Sequence, residues 1–280
     1  MKKSLLLSLV LATVLLLNSC GSEPQKDQGV QDNTGVSQTE NGSGEGLSEE
    51  DKTTGIEEVA ENKEEEREFT GISYNSIGDT VTFGGYEQDN DTKNGTELIE
   101  WVVLDTDGEN VLLLSEYGLD AQAYNTSGET VTWENSTLRR WLNETFYEAA
   151  FNEAERQAII TVTNVNPDNE RWGTSGGNDT EDMVFLLSIG ETETYFADRN
   201  DTLWTEATPY AVQQGAFVSD DGCSPWWLRS PGDDNDGGFC AAYVDYPPTG
   251  VVLSGYAAER NSRVVRPAVW VKTGTVGSGN

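Results

Sequence analysis

The fold is decided by a stretch that begins Ser224-Pro-Trp-Trp-Leu-Arg-Ser-Pro-Gly232. It continues with three more short apolar runs, Ala241-Ala-Tyr-Val244, Gly250-Val-Val-Leu-Ser254 and Val265-Arg-Pro-Ala-Val-Trp-Val271. Short apolar runs bounded by glycine, proline or aspartate are typical of β-strands. The stretch therefore predicts an antiparallel meander in which these runs are successive strands.

Polar connections join the predicted strands at Asp233–Gly238, Asp245–Thr249 and Gly255–Arg263. Core packing constrains the strand residues, whereas residues of surface connections are free to carry binding chemistry. The C-terminal loops are therefore the first place to expect a functional surface.

The sequence upstream predicts further strands. Asp79–Phe83 alternates and is followed by Gly84-Gly85, which indicates a strand that ends in a bulge or turn. Ile99–Leu104 and Asn110–Ser115 flank Asp107-Gly108, a hairpin signal because the glycine can adopt the left-handed conformation such a turn needs.

Short helices are expected between the two strand-rich regions. Ser136–Phe151 has helical apolar spacing behind Asn135 and Ser136 as capping candidates, and Asn152–Ile159 continues as a second helix. Thr208 before Pro209 predicts a third helix over Pro209–Gly215. Shorter predicted elements are strands at Ile160–Thr163 and Met183–Ser188, which flank the polar loop Asn164–Asp182, and a helical turn at Thr192–Ala197.

Trp133 and Trp141 belong to the helical pattern, which favours core packing over a role as sugar-stacking platforms. The combined elements predict an α+β domain with short helices packed on antiparallel sheets.

Composition excludes several function classes. The chain has 280 residues with 49 acidic and 17 basic side chains, a formal net charge of -32, and no histidine. Ser-His-Asp catalysis, imidazole zinc sites and histidine-bound iron are therefore excluded. So acidic a chain repels phosphate backbones, which argues against nucleic acid as a partner.

Residues 1–19 have the pattern of a signal peptide, with Lys2 and Lys3 ahead of an apolar run from Leu5 to Leu17. The sequence Leu17-Asn18-Ser19-Cys20 resembles the lipobox of bacterial lipoproteins. The resemblance implies that Cys20 is the lipid attachment site and that the protein is anchored on the extracellular face of the bacterial cell membrane. The alternative is an ordinary secretory signal with an incidental cysteine.

Residues 20–68 are expected to be a disordered acidic linker. Between Gly21 and Glu68 there are 15 acidic and 4 basic residues and no aromatic residue. Such a segment cannot bury enough apolar surface to offset its ordering entropy. The chain thus divides into a signal peptide (1–19), a tether (20–68) and a folded domain (69–280) that contains all 8 Trp, 10 Tyr and 8 Phe.

The motifs WWLRSPG, AAYV and VRPAVW, together with EWVVLD, LLLSEY and WENSTLRRWLNETFY upstream, resemble a Clostridia-type domain of unknown function found in surface lipoproteins. Their closing pattern is similar to the C-type-lectin fold shared by formylglycine-generating enzymes and the variable proteins of diversity-generating retroelements. The resemblance covers residues 71–273. It implies a C-type-lectin-like α+β domain whose C-terminal strands and loops form a ligand surface.

The enzymatic branch of that fold lacks support in this sequence, so we expect no catalysis. The formylglycine-generating enzymes use a close cysteine pair with copper, but Cys223 and Cys240 are far apart in sequence. The iron-binding sulfoxide synthases use histidines, which the chain lacks. We expect Cys223 and Cys240 to form either a structural disulfide or two buried thiols.

The variable-protein branch implies a ligand surface made of solvent-facing C-terminal residues, which are sequence-randomised in that family and are a candidate for diversification here. The implied ligand-binding residues are Asp233, Asp234, Asn235, Asp236, Asp245, Tyr246, Tyr256, Glu259, Asn261, Ser262 and Arg263. Tyrosines supply rigid contact area and arginine supplies a planar fork for carboxylates. The motif residues Trp226, Trp227, Arg229, Arg266 and Trp270 are expected to be structural.

No metal or cofactor is expected. The acidic loops Asp233–Gly237 and Asn164–Asp182 offer oxygen ligands, but neither has the spacing of a calcium loop, and solvated loops are the favoured interpretation. The leading hypothesis is a lipid-anchored recognition protein for an extracellular protein or glycan ligand. The alternative is an envelope carbohydrate-active enzyme that uses paired carboxylates.

Overall fold

The computed structural model describes residues 69, 71–198, 202–234 and 239–274. The predicted signal peptide, the linker and the lipid attachment site Cys20 lie outside these residues. Within the described ranges, every helix is too short or too polar to cross a bilayer.

The described part of the chain is a mixed α+β structure with mostly antiparallel sheets, one of them curled into a half-barrel, and short helices. The strands are β1 (Thr80–Tyr86), β2 (Glu97–Thr106), β3 (Asn110–Ser115), β4 (Asp120–Ala121), β5 (Ile159–Ile160), β6 (Val162–Asn164), β7 (Thr180–Asp182), β8 (Val184–Phe185), β9 (Thr205–Glu206), β10 (Cys223–Ser224), β11 (Trp226–Pro231), β12 (Cys240–Val244), β13 (Val251–Ala257), β14 (Val264–Val265) and β15 (Ala268–Lys272). The coarse α+β prediction is confirmed.

The helical segments follow the predicted positions closely. They are a 3-10 turn (Trp133–Asn135), α1 (Thr137–Trp141), a π-helical segment (Leu142–Phe146), α2 (Tyr147–Ala150), α3 (Glu153–Ala158), α4 (Ile189–Tyr195) and α5 (Pro209–Gln213). Ser136, Asn152 and Thr208 each cap a helix by accepting a backbone N–H with the side chain. The π-helical segment was not predicted, since a single wide turn leaves little trace in the apolar spacing.

The first sheet has the order β1-β2-β3-β15-β5, and β8 also pairs with β15. The predicted hairpin is confirmed as β2 and β3, with Gly108 at a φ of 97° in the turn. The predicted bulge is also confirmed, because the β1 register shifts between Thr82 and Gly85. Gly84 needs to be glycine there, since its φ is 69° and an added Cβ would meet Phe151 at 2.7 Å.

The second sheet has the order β13-β12-β11-β14-β4. The antiparallel meander is correct for β11, β12 and β13 but wrong for the last predicted strand. That stretch splits at Arg266-Pro267: β14 pairs in parallel with β11, and β15 crosses to the first sheet and pairs with β3. Proline lacks an N–H for a continuous ladder, and its carbonyl accepts from Ser115 at 3.0 Å, which fixes the crossing point.

Two smaller sheets pair β9 with β10 and β6 with β7. The predicted strand Ile160–Thr163 is divided between β5 and β6, and Met183–Ser188 contributes only the short β8. Helix α4 starts earlier than the predicted turn, because Ser188 and Glu191 form a reciprocal capping box at its N-terminus.

Aromatic residues fill the core between the sheets and helices. Trp101, Trp133, Trp226 and Trp227 are completely or almost completely buried, and the half-buried Trp141 packs against the core beside Phe146. The Nε1 of Trp133 donates to Asp182 at 3.1 Å. Core packing of Trp133 and Trp141 is therefore confirmed.

Candidate functional site

Three side chains at the C-terminal end of the second sheet form a stacked cluster. The guanidinium carbon of Arg263 lies 3.2 Å from the ring centre of Tyr256 and 4.6 Å from that of Tyr243. The two rings are 6.2 Å apart and nearly perpendicular. Tyr243 and Tyr256 share one face of the β12–β13 pair, because Tyr256 is opposite Ala241 and side chains alternate along a strand. The cluster thus holds Arg263 by cation–π contacts on two sides.

The cluster continues into the segment that follows α5. Nη1 of Arg263 donates to Ser262 Oγ at 2.9 Å, and the carbonyl of Ser262 accepts from the backbone N–H of Phe217 at 3.0 Å. The Phe217 ring contacts Tyr246, with ring centres 5.8 Å apart. Nδ2 of Asn261 donates to the carbonyl of Gln214 at 3.1 Å. These bonds bring residues far apart in sequence onto one surface.

The α5 side of this surface is apolar and open to solvent. Val212, Phe217 and Val218 have 45%, 45% and 40% of their surface exposed. Exposed large apolar side chains that lie within one short segment of chain are typical of interaction sites. We define the C-terminal surface by the residues Val212, Phe217, Val218, Tyr243, Tyr246, Tyr256, Asn261, Ser262 and Arg263.

The polar groups of the surface are only partly satisfied. Nε of Arg263 is buried without a hydrogen-bond acceptor. Within the described ranges, no carboxylate oxygen approaches Arg263 to 4.0 Å. Burial raises the pKa of the half-buried Asp245 carboxyl, and the nearby charge of Arg263 partly opposes that rise. Arg263 is therefore a cation held by aromatic rings rather than by an ion pair.

The structure brings together a subset of the sequence-predicted ligand-binding residues. Tyr246, Tyr256, Asn261, Ser262 and Arg263 lie on the C-terminal surface, with Asp245 beside them. Asp233 lies at the start of β12, where its N–H donates to the Ser254 carbonyl and its carbonyl accepts from Cys240. Asp234 follows it and is exposed, Glu259 is exposed with its carboxylate 3.9 Å from Arg260, and Asn235 and Asp236 lie outside the described residues.

Sequence reasoning missed the apolar half of this surface. Val212 fits the helix α5, and Phe217 and Val218 look like ordinary residues that return to the core after a helix. The long-range bond between the Phe217 N–H and the Ser262 carbonyl places Phe217 beside the Arg263 cluster, and no local pattern reveals that bond. Tyr243 was assigned only to a strand, and its place under Arg263 comes from sheet pairing.

The predicted structural residues of the C-terminal motif are buried and well bonded, except for the half-buried Trp270. Trp226 and Trp227 each donate Nε1 to a backbone carbonyl, of Leu203 and Gln122 respectively. The two buried arginines both have partners. Arg229 forms an ion pair with Glu191, and Arg266 donates hydrogen bonds to backbone carbonyls.

Cys223 and Cys240 do not form a disulfide with each other, because Cys223 is a free thiol. Cys223 begins β10, which pairs with β9, whereas Cys240 begins β12 in the second sheet. Cys223 is half-buried, and burial together with Glu206 and Asp221 raises its thiol pKa. The expectation of a bridge between these two cysteines is therefore wrong.

A separate cleft of about 370 Å³ lies between β6 and α4, with the Arg229–Glu191 ion pair in its wall. Arg229 also donates to Asn166 Oδ1 and to the carbonyls of Leu186 and Val165. Burial and the charge of Glu191 raise the pKa of Tyr195 in the same wall to about 12. Because the donors of Arg229 are used in hydrogen bonds within the protein, we interpret the Arg229–Glu191 ion pair as structural.

Carboxylates of the predicted acidic loop Asn164–Asp182 are engaged internally. Asp168 and Asp179 accept backbone N–H groups, and the buried Asp182 pairs with Arg139 at 2.5 Å. Three other carboxylates, of Glu87, Asp89 and Glu97, approach one another within 4.8 Å. Burial and the charge of Glu97 raise the pKa of Glu87. An acidic cluster alone does not identify a metal site.

Comparison with known proteins places the described domain in a family. The model of the family described as "Domain of unknown function (DUF6273)" matches residues 108–273, which include the whole C-terminal surface. No curated protein and no solved structure matches the chain.

Proposed function

The chain belongs to the DUF6273 family, and we propose that it is a lipid-anchored recognition protein of the bacterial cell surface. In this proposal its C-type-lectin-like domain binds an extracellular protein through the C-terminal surface and carries out no catalysis. Cys20 bears the lipid, and the acidic segment 20–68 is the tether.

The observation that carries the proposal is the continuity of the C-terminal surface. Exposed Phe217 contacts Tyr246, its backbone bonds Ser262, and Ser262 leads to the Arg263–Tyr256 stack. Binding hot spots are enriched in aromatic residues and arginine that are surrounded by adaptable polar groups such as asparagine and serine. This composition is grouped here in one place and joined by direct contacts.

A protein ligand fits this surface better than a glycan. Val212, Phe217 and Val218 present aliphatic and aromatic carbon rather than an array of hydrogen-bonding groups. Burial of such carbon is the main favourable contribution in protein–protein association. Residues 69–280 contain 34 acidic and 11 basic residues, so a partner with a basic rim is favoured by charge.

The mixed α+β architecture supports the C-type-lectin-like assignment. Short helices pack on antiparallel sheets, and the C-terminal strands and loops carry the surface, as the resemblance implies. The lipid anchor rests on the Leu17-Asn18-Ser19-Cys20 sequence, and the diversified surface rests on the resemblance alone.

The proposal is tested with a photo-crosslinking amino acid placed at Tyr246 on living cells. Mass spectrometry identifies the crosslinked protein, and its affinity is then measured for purified variants. Phe217→Ser is expected to weaken binding by at least about tenfold, because it removes a central aromatic contact. Ile77→Ser is the matched control, since Ile77 is 48% exposed and lies outside the C-terminal surface.

Equal losses of binding affinity for both variants, or no loss for Phe217→Ser, would overturn the proposal.

The alternative function, a carbohydrate-active enzyme with paired carboxylates, has one structural candidate among the described residues, the Glu87–Asp89–Glu97 cluster. Hydrolysis of envelope polysaccharide that Glu97→Gln abolishes would replace recognition by catalysis.

A further inference from the structure

We propose that Arg263, held against Tyr256, is a receptor for a carboxylate of the bound protein, next to an apolar group that packs on Phe217. This inference rests on the proposed function and specifies the chemistry that the C-terminal surface recognises. Its basis is the geometry of Arg263 and the absence of a described carboxylate within 4.0 Å of it.

Arg263 is oriented before any ligand arrives. Tyr256 lies 3.2 Å below its guanidinium carbon, Tyr243 lies at 4.6 Å, and Ser262 Oγ accepts from Nη1. Nε of Arg263 has no hydrogen-bond acceptor among the described residues. A planar guanidinium fixed by stacking loses little conformational freedom when it binds a second group.

Two buried or half-buried arginines of the domain, Arg139 and Arg229, differ from Arg263 because each forms an ion pair. Arg139 pairs with Asp182 and Arg229 with Glu191, so their charges are already balanced. Arg263 has cation–π contacts and a hydroxyl, but no described carboxylate within 4.0 Å. Guanidinium groups bind carboxylates through short charge-assisted hydrogen bonds, which makes a carboxylate the natural missing partner.

The apolar neighbour narrows the ligand class. Phe217 is one hydrogen bond from Ser262, the residue next to Arg263, and its ring is 45% exposed. A ligand group that satisfies both residues has a carboxylate a few bonds away from an apolar side chain. Either a chain terminus with an apolar last residue or an acidic side chain beside an apolar one has this chemistry.

Asp245 limits the affinity of the site for anions. It is half-buried, and its carboxyl is close enough to Arg263 for the two charges to interact. The negative charge of Asp245 repels an incoming carboxylate, so only ligands that also gain apolar contact are expected to bind well. This arrangement selects the combination of the two groups over a free anion.

The test uses the full chain with its anchor in lipid nanodiscs, with empty nanodiscs as the blank. The probes are 3-phenylpropionate and 3-phenylpropionamide, which differ only in the charged group, and saturation-transfer NMR measures their dissociation constants. The carboxylate is expected to bind at least about tenfold more tightly than the amide. Arg263→Gln is expected to remove that preference, and Asp245→Asn to strengthen carboxylate binding.

Arg260→Gln is the matched control, because Arg260 is an exposed arginine paired with Glu259. Arg263→Lys keeps the charge but loses the planar fork, so a reduced preference is expected even though the fold is retained. To distinguish source, peptides that end in phenylalanine with a free or an amidated terminus are compared with peptides that carry an internal Glu-Phe pair.

Equal affinity for the two probes in the unmodified protein, or no carboxylate binding up to the solubility limit, overturns the inference. If both probes bind equally and Phe217→Ser abolishes both, the C-terminal surface stands and only the carboxylate receptor fails. Retained preference in Arg263→Gln, with an unchanged melting temperature, places the receptor on another residue and also rejects the inference.

Discussion

Arg263 and Arg266 are three positions apart in sequence, but Arg266 lies in the buried framework and Arg263 lies at the surface. Arg266 is 1% exposed and donates to the carbonyls of Ser115, Thr202 and Leu203. Arg263 is half-buried, is held by two tyrosine rings, and has no described acceptor for its Nε. The comparison shows that the buried Arg266 uses its N–H donors in hydrogen bonds within the protein, whereas Arg263 at the surface has a donor that can bind a ligand.

Aromatic residues show the same division. Trp226 and Trp227 are buried and place their indole N–H groups on backbone carbonyls. Phe217 and Tyr246 contact each other at the surface, and Phe217 remains 45% exposed. Substitutions in the framework should therefore cost folding stability, whereas substitutions in the C-terminal surface should change binding or local charge.

The largest effect is expected for Arg229→Leu in the framework. The change removes the cation that pairs with Glu191 and the donor to the carbonyls of Leu186 and Val165. Loss of one partner from a largely buried ion pair typically costs about 3 kcal/mol or more of unfolding free energy. Urea denaturation measures the difference.

Arg260→Leu is the control for that measurement, because the Arg260 side chain is 55% exposed and should change stability by less than about 0.5 kcal/mol. A similar, small effect for both substitutions would break the distinction between framework and surface arginines.

Local signals in the sequence were sufficient for much of the framework. The Asp107-Gly108 turn and the caps at Ser136, Asn152 and Thr208 depend on residues within a few positions, and each lies where it was expected. The apolar run at Trp226 is a buried strand, as its composition indicates. Turns and helix caps could therefore be predicted from the sequence, because they depend on residues close together in the chain.

The sequence did not reveal which strands and side chains pair over long distances along the chain. The crossing at Arg266-Pro267 sends β15 to β3, more than 150 positions away, and a continuous apolar run contains no sign of a change of sheet. The ion pair of Arg139 with Asp182 is hidden for the same reason, since 43 positions separate the two residues. Partners of this kind are set by topology and not by local composition.

The sequence predicted the polar and tyrosine-bearing part of the candidate site but not its apolar part. Loop position pointed to Tyr246, Tyr256 and Arg263, because connections between strands are exposed. The apolar half, which centres on Phe217, depends on a backbone bond to Ser262 that forms only when α5 packs beside the second sheet. A sequence pattern alone cannot distinguish an exposed phenylalanine of this kind from a core residue.

A smaller, pH-dependent effect is expected from Asp120 in the framework. Burial raises the pKa of the Asp120 carboxyl, which is 2% exposed and accepts from Tyr86 at 2.6 Å. A raised folded-state pKa favours the protonated form, so its stabilising contribution is present below the ordinary Asp pKa of about 3.9 and is lost as pH rises through the folded value. Wild type should therefore lose stability relative to Asp120→Asn as pH rises from about 4.

Thermal or urea unfolding of both proteins across this pH range checks the sign. Asn can still accept from Tyr86 with its single oxygen, but it loses the oxygen that accepts from Ala121 and Gln122. That loss lowers the stability of the variant by a similar amount at every pH, so the difference in pH dependence between the two proteins reports the titration. Parallel stability curves for the two proteins would mean that the buried carboxyl does not titrate differently in the folded and unfolded states.

The smallest effect is expected at Asp245, the surface counterpart of Asp120. Burial raises the pKa of both carboxyls, but at Asp245 the charge of Arg263 opposes that rise, whereas none of the causes at Asp120 is a cation. Arg263→Gln removes the opposing charge and should therefore raise the Asp245 pKa further, while the Asp120 pKa stays unchanged. Carbon-13 NMR titration of the side-chain carboxyls follows both groups in one sample. A fall in the Asp245 pKa, or an equal rise at Asp120, would show that the substitution disturbs the whole fold, and the separation of surface from framework would then fail.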